Sequence, residues 1–202
     1  MKVIFHEDFY QVYTSDPAAA AGRMEAVVDE ISYRSDFVQA KPASESQIAL
    51  VHEAAHIESV RHMGFFHMAA LAALKNQGAI DTAHVLDFDL HFGDGTVNIL
   101  GRRDYVTVQN VEAGDRGAFL DEISQAMATC QADIIGLSAG FDNHLEDWGG
   151  LLLTEDYFEI GRMVREAAER SGGGCFAILE GGYNHQVLGA NVLALIDGMA
   201  RK

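Results

Sequence analysis

Ala83–Phe88 reads AHVLDF and runs straight into Asp89–Thr96, DLHFGDGT. The first stretch has the character of a short buried strand; the second is polar and glycine-rich. The same change occurs twice more. Ile134–Ser138 (IIGLS) gives way to AGFDNHLEDWGG, and Cys175–Leu179 (CFAIL) gives way to EGGYNH. Tyr105–Val108 is a further apolar run. Amphipathic segments suited to helices lie at Ala118–Cys130, Thr154–Arg170 and Val187–Met199. Buried strands alternating with such helices specify an α/β chain with a mostly parallel sheet. In such sheets ligands bind beyond the carboxyl ends of the strands. The three polar stretches are therefore the places to look for chemistry.

The first 80 residues follow the same logic with weaker signals. Lys2–Phe5 (KVIF) reads as a strand. Asp16 before Pro17 is the pattern of a helix cap and first turn, predicting a helix over Pro17–Ile31. Ser44 and Gln47 form a capping box ahead of a helix over Glu45–His52. Helices are also expected over Ala55–Met63 and Met68–Asn76, the latter closed by Gly78. No repeat or linker interrupts the chain, which predicts one domain over residues 1–202.

Lys and Arg number 14 against 30 Asp and Glu, a net charge of −16, so no basic surface exists to displace phosphate counterions. Nucleic acid is excluded as the expected partner and a cationic substrate is permitted, while the plainest reading of the acidic balance is solubility. Cys130 and Cys175 are too few for a disulfide framework and read as buried free thiols in a reducing compartment. The N-terminus MKVIFHEDFY has no cleavage signal, and the longest apolar stretch, Met68–Leu74, is far too short to span a bilayer. These features predict a cytoplasmic protein with no membrane partner.

Asp89 and His91 stand two apart, so on an extended segment they share one face. Asp142 follows the Ile134 strand and can reach the same end of the sheet. Two carboxylates and one imidazole with a position left open are a ligand set suited to a catalytic divalent ion. Gly93 and Gly95 read as turn formers. His144, Glu146 and Asp147 are expected to face solvent. Tyr183, after Gly181 and Gly182, is placed to donate its hydroxyl to an oxyanion beside a polarised carbonyl.

LDFDLHFGDGT (86–96), LSAGFD (137–142) followed by DWGGLLLT (147–154), and LEGGY (179–183) resemble motifs of the histone deacetylase and acetylpolyamine amidohydrolase family, in the family's order. KVIFHEDFYQVYTSDP, GRMEAV and LVHEAAHIESV resemble its bacterial and archaeal members. The resemblance implies a three-layer arginase-like α/β fold, with helices on both faces of the sheet. It implies hydrolysis of an acetyl-amide bond at a Zn2+ ion, or another divalent metal, held by Asp89, His91 and Asp142. Tyr183 would polarise the acetyl carbonyl, and Gly182 and Phe92 would line the substrate site. Asp87 would belong to a structural K+ site. The implied substrate is a small cationic acetylated amine or an acetyl-lysine protein, with a homo-oligomer left open.

The departures from the family are as informative. The family's Pro-Gly-His-His segment carries the histidines that handle protons. Here the only prolines are Pro17 and Pro42, and no two histidines are adjacent. Arg61-His62-Met63 passes directly to Gly64-Phe65-Phe66-His67-Met68-Ala69, a compressed version of the family's Gly-Phe-Cys stretch. A deletion or absent segment is thus expected near residues 62–69, and with it the general base. His62 and His67 lie nearest the junction and read as helix histidines. Phe92 stands where many members carry a second histidine. The competing expectation is a catalytically silent, metal-binding module. An arginase-like two-manganese site is disfavoured, because Leu90 sits where a further ligand would be wanted.

Overall fold

The computed structural model describes residues 1–41, 43–53 and 67–200, and the side chains of all of these except 67–69. Pro42, the helix expected at 55–63 and the junction at 61–66 lie outside the described residues. From the amino end come β1 (Lys2–Phe5), α1 (Arg23–Ile31), β2 (Asp36–Gln39), α2 (Glu45–Ile48) and α3 (His67–Asn76). Then follow β3 (Ala83–Asp87), α4 (Asp94–Leu100), β4 (Val106–Asn110), α5 (Arg116–Thr129), β5 (Ile134–Ala139), α6 (Thr154–Arg170), β6 (Gly174–Leu179) and α7 (His185–Met199).

Strands β3–β6 form one parallel sheet in the order β4-β3-β5-β6, while β1 and β2 pair in parallel as a separate sheet. Side-chain alternation divides the core cleanly. Leu86, Ile135, Leu137 and Leu179 pack with α5, α6, α7 and α1 on one face. Ala83, Val85, Val106, Ile134 and Phe176 pack with Leu71 of α3 and Leu100 of α4 on the other. Strands β3, β5 and β6 carry apolar residues on both faces, which is why β3 and β5 read as near-continuous apolar runs. The helices bury regular stripes: Phe119, Ile123 and Met127 on α5, and Tyr157, Ile160 and Val164 on α6. This is the three-layer α/β arrangement expected from the sequence.

Several boundaries differ from those expected. The helix predicted over Pro17–Ile31 is broken: Pro17–Ala19 is a 3-10 turn capped by Asp16, and α1 starts only at Arg23. Gly22 adopts φ 86°, a left-handed conformation that ends the first turn and redirects the chain. The capping box at Ser44 forms as predicted, but its helix stops at Ile48 rather than His52. Strand β2 was not foreseen, because all four of its residues are exposed and carry no burial pattern. Nor was α4, which starts at Asp94 where a glycine turn was expected. At the end of α3 the expected cap is present, with the Ala79 amide donating to the Leu74 carbonyl and Gly78 donating to Lys75. Cys130 and Cys175 form no disulfide and are half-buried rather than buried. Among the described residues no helix is long and apolar enough to cross a membrane.

Candidate metal centre

The loops after β3, β5 and β6 meet at the carboxyl edge of the four-stranded sheet. Two bonds lock the first two together: the Asn143 side-chain amide donates to the Phe88 carbonyl (3.0 Å), and the Leu90 amide donates to Asp142 Oδ1 (3.1 Å). The third loop joins through the Gly181 amide, which donates to Asp89 Oδ2 (2.7 Å). Beneath them Phe88, Phe141 and Tyr157 form an aromatic floor, and the Tyr157 hydroxyl donates to the Phe141 carbonyl. Both β3 and β5 are internal strands, so the ligand-bearing loops are anchored to the most buried part of the sheet.

These contacts bring Asp89, His91 and Asp142 together, with one potential ligand atom from each lying within 4.8 Å of the others. His91 Nδ1 is 3.2 Å from Asp89 Oδ1 and 3.3 Å from Asp142 Oδ2. The convergence does not use the extended segment expected from the sequence. The chain bends after Phe88, and Asp89 Oδ1 accepts the backbone amide of His91 (2.8 Å). The side chains share a site because of that local turn.

The donor set fits a divalent cation. Asp142 is 0% exposed, and its Oδ2 has no hydrogen-bond partner among the described residues. Leaving such an atom unsatisfied is costly unless a cation meets it. Two carboxylates and an imidazole nitrogen, with His91 on the open side, are the ligand types of a catalytic zinc site. The surrounding backbone is built to clear the carboxylates. A Cβ at Gly181 would stand 2.4 Å from Asp142 Oδ2 and 2.5 Å from Asp89 Oδ2, and one at Gly140 would stand 2.4 Å from Asp89 Oδ2.

The electrostatics agree. Burial, and then the neighbouring charge of Asp89, push Asp142 up to about 6. Burial also raises Asp87 to about 6 and Glu180 to about 7, with Asp89 adding to both. All three acids hold protons in the folded chain at pH values where the unfolded chain has released them. The cluster's cost to stability therefore appears as pH rises from about 4 to about 7. A bound cation offsets it. The stabilisation of the chain by added Zn2+, read as a shift in thermal midpoint against a chelated sample, should be largest near pH 7.5 and shrink toward pH 5 as protons compete. A shift that grows on acidification would contradict this.

Tyr183 is half-buried beside the ligand set. Burial, and then the charges of Asp142 and Asp89, push its phenol up to about 12, so it keeps its proton at neutral pH. Phe92 is exposed and, with Asp89, Leu90, Asn110, Val111 and Glu112, lines a cavity of about 190 Å³. Gly182 is buried, and its carbonyl is taken by the Arg23 guanidinium. Asp87 is buried beneath the site and accepts the Asp89 amide.

Sequence reasoning missed three residues that build this site. Arg23, the first residue of α1, is buried and donates to the carbonyls of Glu180, Gly182 and Ala18, tying the β6 loop to the amino-terminal half. Only its spacing with Val27 and Ile31 on one helix face signalled burial. Asp147 accepts the amides of Tyr183 (2.8 Å), Asn184 (2.7 Å) and Trp148 (2.8 Å). His144, expected in solvent, is instead buried, accepts the Glu146 amide and faces Thr154. An i, i+2 bond of this kind leaves no periodic trace in a sequence.

A profile of the histone deacetylase domain matches residues 108–199, which carry Asp142, Tyr183 and most of the sheet. Over those residues the chain is similar to the histone deacetylase family. The chain is 32% identical over 171 residues to "Histone deacetylase 10, chloroplastic" of Oryza sativa subsp. japonica, covering 64% of the chain and 39% of that protein. It is 28% identical over 187 residues to a "Probable deacetylase" of Methanothermobacter thermautotrophicus, covering 71% of the chain and 55% of that protein. The chain thus spans about half the length of the curated relatives it matches. In fold it resembles the crystal structure of an acetylpolyamine aminohydrolase from Burkholderia pseudomallei, with TM-score 0.78, 15% identity and 98% of each chain covered.

Proposed function

We propose that this chain hydrolyses an acetyl-amide bond at a zinc ion held by Asp89, His91 and Asp142. The observation that carries the reading is the convergence of those three side chains on one point, with Asp142 Oδ2 buried and without a hydrogen bond among the described residues. A divalent ion in such a site supplies Lewis-acid polarisation of a carbonyl and a lowered pKa for water. The chain's own residues supply the rest. Asp89 and Asp142 are held in place by the amides of Gly181 and Leu90, so the ligand set is preorganised. Tyr183, protonated at neutral pH, donates to the oxygen that gains charge as the carbonyl becomes tetrahedral. Phe92 walls the substrate cavity. The similarity to the histone deacetylase domain and the acidic surroundings support an acetylated amine with a cationic body, either a small polyamine or an acetyl-lysine protein.

The described histidines include no second imidazole in the ligand cluster. His6 pairs with Asp8, His84 with Thr107, and His144 with the Glu146 amide. A missing general base costs about two to four powers of ten in rate. The reaction is therefore expected to be slow. The same observation favours a second reading, a metal-binding member that does not turn over. Turnover of an acetyl-lysine reporter and of acetylspermidine separates the two. Slow hydrolysis that a chelator abolishes and Zn2+ restores is expected; metal binding with no hydrolysis of either substrate supports the silent module.

A further inference from the structure

Trp148 is the chain's single tryptophan, and it is 58% exposed. A large aromatic left this open is unusual unless its position matters. Its ring stacks on Tyr183 with centroids 4.0 Å apart and planes at 27°, and its edge meets the His91 ring at 6.0 Å. The two stacked residues belong to different loops, after β5 and after β6. One carboxylate holds both backbones: Asp147 Oδ1 accepts the Trp148 amide while Oδ2 accepts those of Tyr183 and Asn184. The Arg23 guanidinium lies 6.0 Å from the Tyr183 ring centroid. The phenol is thus flanked by an indole and a cation, on a loop whose glycines would otherwise leave it free to swing.

We propose that Trp148 is a positioning residue for Tyr183, its indole holding the phenol ring in the orientation that aims the hydroxyl at the Asp-His-Asp centre. This rests on the deacetylase reading for its catalytic consequence, but not for the stack itself. An aromatic pair contributes about 0.5–1.5 kcal/mol beyond area, a factor of about 2–13 in the population of the held ring. Trp148→Ala should therefore lower kcat by about 3- to 10-fold with KM little changed, and Trp148→Phe should recover most of the loss.

The deciding test is a double-mutant cycle. In a Tyr183→Phe background the Trp148→Ala change should cost almost nothing further, because the hydroxyl it positions is gone. An equal loss in both backgrounds would mean that Trp148 acts only through general packing, and would overturn the proposal. The second readout needs no turnover. Emission of the sole tryptophan reports on this stack alone, so Tyr183→Ala should change its wavelength and increase its quenching by acrylamide, while Tyr183→Phe should leave both near wild type. Unchanged emission in Tyr183→Ala would also overturn the proposal. A wild-type chain with no acetyl-amide hydrolysis sinks the functional reading instead, and the stack then stands or falls on the emission result.

Discussion

Asp142→Asn should leave the chain folded but unable to retain a divalent ion. The oxygen of the substituted amide can still accept from the Leu90 backbone, which now reaches Asp142 Oδ1 at 3.1 Å, so the link between the β3 and β5 loops survives. What is lost is the second carboxylate charge beside His91 Nδ1. Changes to residues that merely support metal ligands cost about 10- to 100-fold in affinity, so loss of a ligand's charge should exceed about 100-fold. His91→Ala should do the same. Asp142 is fully buried, and its proton is held well above the usual carboxylate range by burial and by Asp89. Neutralising it removes a penalty from the metal-free fold. The variant's metal-free thermal midpoint near pH 7.5 should therefore equal or exceed that of the parent chain, the usual trade between a functional site and stability. Metal analysis after dialysis, with thermal melts on the same samples, checks both halves. Stoichiometric metal in either variant would remove Asp89, His91 and Asp142 as the ligand set.

Tyr183→Phe should lower kcat by about 100- to 1000-fold, the size associated with one oxyanion donor. The substitution deletes a single hydroxyl and keeps the ring, and with it the stack on Trp148. Metal content should not change, because Tyr183 is not in the ligand cluster. KM should move little, since the hydroxyl is needed most when charge has developed on the carbonyl oxygen. The phenol's raised pKa has a consequence for the pH profile. Activity should persist through pH 8 to 9 without a fall from phenol ionisation, because the donor keeps its proton until about 12. Wild-type turnover in Tyr183→Phe would make the tyrosine a bystander at the rim of the site.

The strands and helices of the carboxyl-terminal two thirds were legible because each is long or strongly patterned. AHVLDF, IIGLS and CFAIL match β3, β5 and β6 to within a residue or two, and Thr154–Arg170 matches α6 at both ends. Buried strands and amphipathic helices write their environment into periodicity. The residue types of the site were legible too, since Asp, His and Tyr after parallel strands fall where such sheets bind ligands. The amino-terminal region was harder, because β2 is exposed on every residue and one left-handed glycine splits the first helix. Those outcomes depend on local φ and on pairing partners, neither of which leaves a repeat in the chain.

The sequence by itself determined the fold class, the resemblance to the histone deacetylase family and the three candidate ligands. Each rests on patterns confined to a few consecutive residues. Only the tertiary structure decided which oxygen of Asp142 lacks a hydrogen bond among the described residues, that Arg23 secures the Gly182 carbonyl, and that Trp148 lies against Tyr183. Those facts join residues 35 to 159 positions apart. Contacts across such separations form only when the sheet and its helices have packed, so no local pattern of residues encodes them.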